Sequence, residues 1–114
     1  MAHFLVQFSY ASLSVEGMIR KPDLDLATQA SMMAESLGAK LLGYWFAFGE
    51  FDGVVLMEAA DGSVAASIAM AIRSTAQVLR LETTVLLTMD EAKVALRSAA
   101  KANHLPPGSK AKEL

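Results

Sequence analysis

Apolar and polar side chains alternate along the first ten residues and again in three later segments of the chain. Between His3 and Tyr10, three aromatic residues and one valine occupy every second position, and the positions between them hold His3, Leu5, Gln7 and Ser9. A period of two places successive side chains on opposite faces of a β-strand. The sequence therefore predicts four strands, over residues 3–10, 40–48, 54–60 and 78–87.

Helical segments lie between these strands and after the last one. Pro22 divides the first segment into a helix over residues 12–20 and a second helix with Asp23 as its expected cap, since proline lacks an amide hydrogen and crowds the preceding turn. Gly38 stands where a left-handed residue would end the second helix. Asp61 is expected to cap an alanine-rich third helix, and a Thr-Met-Asp-Glu capping box predicts the start of a last helix.

The order of these elements indicates a ferredoxin-like sandwich. Strand, helix, strand, strand, helix, strand is typical of split units that close as one antiparallel sheet with the helices on one face. We therefore expect an α+β fold, a ferredoxin-like βαββαβ sandwich with a C-terminal helix. The chain of 114 residues has the size of a single domain, predicted over residues 1–102. Residues 103–114, which lack an apolar period, are predicted to form a flexible tail.

Composition and charge narrow the classes of function. The chain has no cysteine, and His3 and His104 stand near its opposite ends, so we expect no metal site and no cofactor. The net charge is −2 and the basic residues are scattered, which argues against a nucleic-acid partner. The longest apolar run is far shorter than the about 20 residues that span a bilayer. These properties predict a cytoplasmic protein that binds neither nucleic acid nor membrane.

Three segments in combination resemble the bacterial GYD-domain family across roughly residues 3–97. They are FLVQFSYASLSVEGMI near the N-terminus, ESLGAKLLGYWFAFGEFDGVV in the centre, and the alanine-rich helix that follows. The resemblance implies a ferredoxin-like fold that pairs into a dimeric α/β barrel, and it implies no established activity. The family name comes from a glycine–tyrosine–aspartate turn. Phe51 stands at the tyrosine position here, so this turn lacks the phenol that acid–base chemistry would use.

The turn GEFDG at residues 49–53 has two interpretations. Glu50 and Asp52 could form a functional acid pair. A hairpin turn, however, requires flexible and polar residues for structural reasons alone. We favour the structural interpretation and expect both carboxylates to be peripheral to any site.

Alternation also assigns residues to the face of the sheet that the helices leave uncovered, which we call the open face. This face is expected to hold His3, Leu5, Gln7, Ser9, Trp45, Leu56, Glu58, Arg80, Glu82 and Leu86. It is too apolar for free solvation, which favours pairing with a second copy. Its candidate ligand-binding residues are His3, Gln7, Trp45, Glu58, Arg80 and Glu82. The opposite, covered face is expected to hold Leu42, Tyr44, Phe46 and Phe48 of the second strand and Leu79, Leu81, Thr83 and Val85 of the last.

Three functions stay open at this point. The first is a homodimer or higher homo-oligomer that binds a small organic ligand, either between sheet and helices or inside the barrel. The second is a cofactor-independent enzyme for a small, partly apolar substrate, with His3 or Glu58 as base and Arg80 as charge stabiliser. The third is a purely structural assembly module without a ligand.

Overall fold

The chain forms four strands and four helices over residues 1–103, the part that the computed structural model describes. In chain order these are β1 (Ala2–Tyr10), α1 (Ser12–Arg20), α2 (Leu26–Ser36), β2 (Lys40–Phe46), β3 (Gly53–Ala59), α3 (Gly62–Arg73), β4 (Val78–Leu86) and α4 (Met89–Ala100). The predicted order of elements is confirmed. The tail predicted for residues 103–114 lies outside the described residues, apart from Asn103.

The strands form one antiparallel sheet in the order β2-β3-β1-β4. β1 is central, and its residues face β3 on one side and β4 on the other. Leu5, for example, lies opposite Leu56 of β3 and Thr84 of β4. This order is that of the predicted ferredoxin-like sandwich.

Three helix ends follow the local signals in the sequence. Gly38 has a φ of 85°, the left-handed conformation that glycine adopts at little cost, just after α2. The Asp61 carboxylate accepts hydrogen bonds from the backbone of Ser63 and Val64 at the start of α3. Thr88 and Glu91 form the predicted capping box of α4. Each interaction satisfies backbone groups that a helix end leaves without partners.

The cap predicted at Asp23 is wrong, because Asp25 caps α2 instead. Its carboxylate accepts from the backbone N–H of Thr28 at 3.0 Å and from the Thr28 hydroxyl at 2.6 Å. The chain first makes a turn in which the N–H of Leu24 donates to the carbonyl of Lys21. This turn after Pro22 delays the helix by two residues, and the same bonds lower the pKa of Asp25.

The hydrophobic core lies between the covered face and the helices. Phe4, Val6 and Phe8 alternate along the central strand with half-buried residues of the open face. The other members of the core are Ala34, Ala39, Val55, Met57, Ala59, Ala65, Ile68 and Leu81. The alternation predicted for β1 and β3 is therefore confirmed.

The covered-face residues predicted for β2 are partly wrong. Tyr44 packs against the core, whereas Leu42 and Phe48 are exposed. Phe46 lies on the covered face as predicted, in contact with the rings of Tyr10 and Tyr44, but it is exposed and not part of the core. The pairing with β3 shifts between Leu41 and Gly43, so Leu41 takes the inward position opposite Met57. Phe48 lies beyond the end of the strand, where alternation no longer directs its side chain.

In β4 the register confirms the covered face for Leu81, Thr83 and Val85, which lie opposite buried residues of β1, but Leu81 alone of the predicted inward residues is buried. Leu79, Thr83 and Val85 are exposed. The register with β1 shifts between Ser9 and Tyr10, so that Tyr10 pairs with Val78 and Leu79 leaves the core pattern. Val85 lies opposite buried Phe4 but on an edge strand, where the described helices leave it uncovered.

Candidate functional site

The register of the sheet brings three of the six predicted site residues into one row across the open face. Gln7 of β1 lies opposite Glu82 of β4 and Val54 of β3, and Val54 lies opposite Trp45 of β2. The indole of Trp45 lies over Gly43, where any added side-chain carbon would collide with the ring. The indole therefore lies along its own strand, and about half of Trp45 is exposed (54%).

His3 and Glu58 form a separate row near the other end of the same face. They lie opposite each other, and Lys40 of β2 lies opposite Glu58. His3 is four residues from Gln7 along β1, a separation of about 13 Å in an extended strand. A row with Leu5 and Leu56 lies between the two polar rows. The six candidate residues therefore do not converge on one site. They divide into the row with Gln7, the row with His3, and Arg80.

Arg80 makes its contacts with the turn between β2 and β3. Its Nη2 donates to Glu50 Oε1 at 2.8 Å, and its guanidinium carbon lies 4.5 Å from the centroid of the Phe51 ring. Phe51 is buried beneath it. Within residues 1–103 no hydrogen bond or ion pair joins Arg80 to another of the six candidates. Glu50, which we expected to be peripheral to the candidate residues, thus contacts one of them. The contacts of Arg80 with Glu50 and Phe51 join the turn to β4.

Asp52 has a structural role in the same turn. Its carboxylate accepts from the backbone N–H of Tyr10 at 3.0 Å, and its own N–H donates to the carbonyl of Phe8 at 2.9 Å. Its carbonyl accepts from the N–H of Ala47 at 2.8 Å. The carboxylate therefore satisfies a backbone donor where the register of β1 shifts, between Ser9 and Tyr10. These contacts support the structural interpretation of the aspartate.

We expect Asp52→Ala to lower the free energy of unfolding by about 1–3 kcal/mol, because it leaves the partly buried N–H of Tyr10 without an acceptor. Glu50→Ala is the matched control from the same turn. It removes an exposed ion pair and should cost less than about 1 kcal/mol. Urea denaturation of both variants measures the difference. Equal losses would contradict the role assigned to Asp52.

A second candidate site lies on the other side of the sheet. A cavity of about 580 Å³, open to solvent on one side, is lined by residues of the covered face and of α1, α2 and α3. Its wall is mainly apolar, and its lining includes Val6, Met18, Leu26, Met33, Met57 and Ile72. Sequence reasoning named the space between sheet and helices as one location for a ligand, but assigned no residues to it.

Two phenols meet in the wall of this cavity. The hydroxyls of Tyr10 and Tyr44 are hydrogen-bonded to each other, and both residues line the cavity. Their rings make edge-to-face contacts with Phe8, and each also contacts Phe46 in this way. Burial is the main cause that raises the pKa of both tyrosines above the ordinary phenol value. Both phenols are therefore neutral near physiological pH and can donate hydrogen bonds.

Alternation places Tyr10 and Tyr44 on the covered face, but sequence reasoning did not recognise them as a pair. They are 34 residues apart. Tyr10 is on β1 and Tyr44 on β2, and β3 lies between these strands in the sheet. The contact between the two phenols therefore depends on the register of β3 with each neighbour and on the size of the rings. The available signal was the presence of two phenols among otherwise apolar inward positions.

Residues 1–103 contain no group of three or more histidine, cysteine or carboxylate side chains placed to hold a metal ion. None of the helices described there is both long and apolar enough to cross a membrane.

Several solved structures are similar to this chain. The crystal structure of FFRP-DM1 is similar at a TM-score of 0.50 and 15% identity, covering 76% of this chain and 100% of that one. A hypothetical protein from Pyrococcus horikoshii has a TM-score of 0.49 at 14% identity, covering 77% and 92%. An uncharacterized NIPSNAP domain protein from Burkholderia xenovorans has a TM-score of 0.47 at 16% identity, covering 77% and 94%. At these identities the likeness concerns the fold alone.

No curated protein matches the chain. The family model of the GYD domain, in contrast, matches residues 4–96, which is most of the sequence and extends from within β1 to within α4. The resemblance noted from the three sequence segments is thereby confirmed, and this chain belongs to the GYD-domain family.

Proposed function

We propose that this GYD domain binds a small, mainly apolar organic molecule in the cavity between the covered face and the helices. The cavity itself carries the proposal, since its volume of about 580 Å³ is within the range of small-molecule sites. Such sites are typically apolar with a few polar groups that orient the ligand. The wall of this cavity has that composition, with the phenols of Tyr10 and Tyr44 among the apolar side chains.

The packing of α1 supports the same proposal. Ser14, Gly17 and Met18 of this helix line the cavity, yet α1 has no buried residue. Most helical stability in proteins comes from burying an apolar face against another element. A ligand in the cavity would supply packing that α1 lacks in the free protein. Ligand binding should therefore stabilise α1.

Adjacent methionines of α2 provide a matched test of the cavity. Met33 lines it and is half-buried, whereas the neighbouring Met32 is 66% exposed. Met33→Trp should weaken binding of a neutral aromatic probe such as acetylnaphthalene by at least about tenfold, because the indole occupies cavity space and strains its surroundings. Met32→Trp should leave the affinity unchanged.

Isothermal titration calorimetry on both variants measures this effect, and circular dichroism confirms that each variant is folded. Binding that resists Met33→Trp in a folded protein would place the ligand elsewhere. A wild-type protein that bound no apolar probe would refute the proposal.

We also infer that the open face pairs with a second copy of the chain. The central row of this face contains Leu5 and Leu56, and beside it the indole of Trp45 is half-exposed. Groups of both charges lie toward each end of the face, with Lys40 and Glu58 at one end and Arg80 and Glu82 at the other. A two-fold interface brings the same patch of both copies together, so each end can meet opposite charges.

α4 supports the inference of a second copy. It has no buried residue, although Met89, Ala92 and Leu96 share one side of the helix. Met89 and Leu96 are both exposed in the single chain. Apolar surface left on both α4 and the open face favours an assembly over a monomer.

The enzymatic interpretation has less support. It requires His3 or Glu58 to act together with Arg80, and the register separates these residues along the sheet. Arg80 is also occupied by Glu50 and Phe51. We therefore propose ligand binding in preference to catalysis.

A further inference from the structure

The phenol pair has one more donor than its own hydrogen bond uses. Two hydroxyls carry two hydrogens, and the bond between Tyr10 and Tyr44 uses one of them. Among the described residues, neither hydroxyl has another protein partner. The second hydrogen is thus free to reach an acceptor in the cavity that both tyrosines line.

We propose that the tyrosine pair makes this site selective for uncharged molecules that carry a hydrogen-bond acceptor, such as a ketone or ester carbonyl, on an apolar body. This inference rests on the proposed binding function and specifies its ligand class. A carbonyl oxygen would accept the spare phenol hydrogen, while the apolar body would contact the remaining wall. A hydrocarbon of the same shape would leave that donor without a partner, which makes its binding weaker.

The surroundings of the pair favour a neutral acceptor over an anion. The Asp52 carboxylate accepts from the backbone N–H of Tyr10 at 3.0 Å, and its negative charge is the smallest of the causes that raise the pKa of the Tyr10 phenol, after burial and the interaction with Tyr44. An anionic ligand group at the pair would be repelled by that carboxylate. Arg20 and Lys21 also line the cavity, but both are exposed side chains at the end of α1. A carboxylate ligand would be attracted to these two cations, and a carboxylate probe separates the two alternatives.

The test compares acetylnaphthalene with isopropenylnaphthalene, a hydrocarbon of nearly the same shape, and with naphthoate. Titration calorimetry on the wild-type protein should give an affinity for the ketone that is at least about tenfold higher than for the hydrocarbon. In the double variant Tyr10→Phe with Tyr44→Phe, this ratio should fall to about one because both donors are gone. The affinity for the hydrocarbon should change little, since both aromatic rings remain.

Single variants separate selection by the hydroxyls from a merely structural effect. Tyr10→Phe or Tyr44→Phe alone leaves one phenol whose hydrogen is no longer used by its neighbour. Each single variant should therefore keep the preference for the ketone. Loss of hydrocarbon binding in the double variant would instead show that the hydroxyls maintain the shape of the cavity, and would overturn the inference.

Other outcomes distinguish this inference from the proposed function. Equal wild-type affinities for ketone and hydrocarbon, both lowered by Met33→Trp, would leave the binding site intact and overturn the selectivity. If naphthoate bound most tightly of the three probes, Arg20 and Lys21 would be the recognition residues. This result would also overturn the proposed selectivity for uncharged ligands. Failure of all three probes to bind would overturn the proposed function and this inference together.

Discussion

Replacing Phe4 by alanine should lower the free energy of unfolding by about 3–5 kcal/mol, the usual cost of deleting a buried aromatic ring. Phe4 is 2% exposed in the central strand, where it lies opposite Met57 and Val85. Because it is held between strands on both sides, the neighbouring backbone cannot collapse freely into the space that the ring leaves. Urea denaturation at a fixed protein concentration measures the loss.

Phe48→Ala is the matched control, since it deletes the same ring from a fully exposed position. It should change the stability by no more than about 0.5 kcal/mol, as is usual for surface positions. The comparison tests the corrected composition of the covered face directly, because alternation alone assigns Phe48 to it. Similar losses for both variants would contradict the exposed placement of Phe48.

Replacing Leu56 by arginine should weaken self-association by at least about a hundredfold, if the open face is the contact between two copies. Leu56 lies opposite Leu5 and Gly43 in the apolar row at the centre of that face. An arginine there would be buried without a partner in the assembly, a change that typically costs about 3–5 kcal/mol. Stability should fall as well, because an assembled protein draws part of its apparent stability from the contact.

Leu13→Arg provides the control for this prediction. Leu13 is 79% exposed on α1, away from the open face, so the same substitution should leave association nearly unchanged. Sedimentation velocity over a range of concentrations measures both variants beside the wild-type protein. A wild-type monomer at micromolar concentration would refute the inferred pairing. Unchanged association of Leu56→Arg would place the contact on another surface.

The sequence predicts those features of the fold that depend on residues close together in the chain. A capping box, the cap at Asp61 and the left-handed Gly38 involve residues that are neighbours in the chain, and the structure confirms all three. The strand order also follows, because few arrangements of this element order bury the apolar faces. The misplaced cap at Asp23 shows the limit, since the turn after Pro22 shifts the start of α2 without changing the overall pattern.

Alternation fails where the pairing of strands changes register. The shift between Leu41 and Gly43 exchanges which leucine faces the core, and the shift at Ser9 and Tyr10 removes Leu79 from it. A shift of one residue turns every following side chain to the other face. Register shifts depend on contacts with the neighbouring strand, so the hydropathy of one strand alone does not predict them.

The sequence by itself determined the four strands, the caps at Asp61 and Thr88 and the two faces of the central strand, because these properties depend on short-range periodicity and local hydrogen bonds. Its similarity to the family model determined the family. The tertiary structure decided which polar groups meet. It joined Arg80 to Glu50, placed the Asp52 carboxylate on the N–H of Tyr10, and brought the phenols of Tyr10 and Tyr44 together beside a cavity. These partners are 30, 42 and 34 residues apart, and their contact depends on the relative placement of whole strands. Such long-range contacts arise only when the sheet and helices pack, which no local pattern specifies.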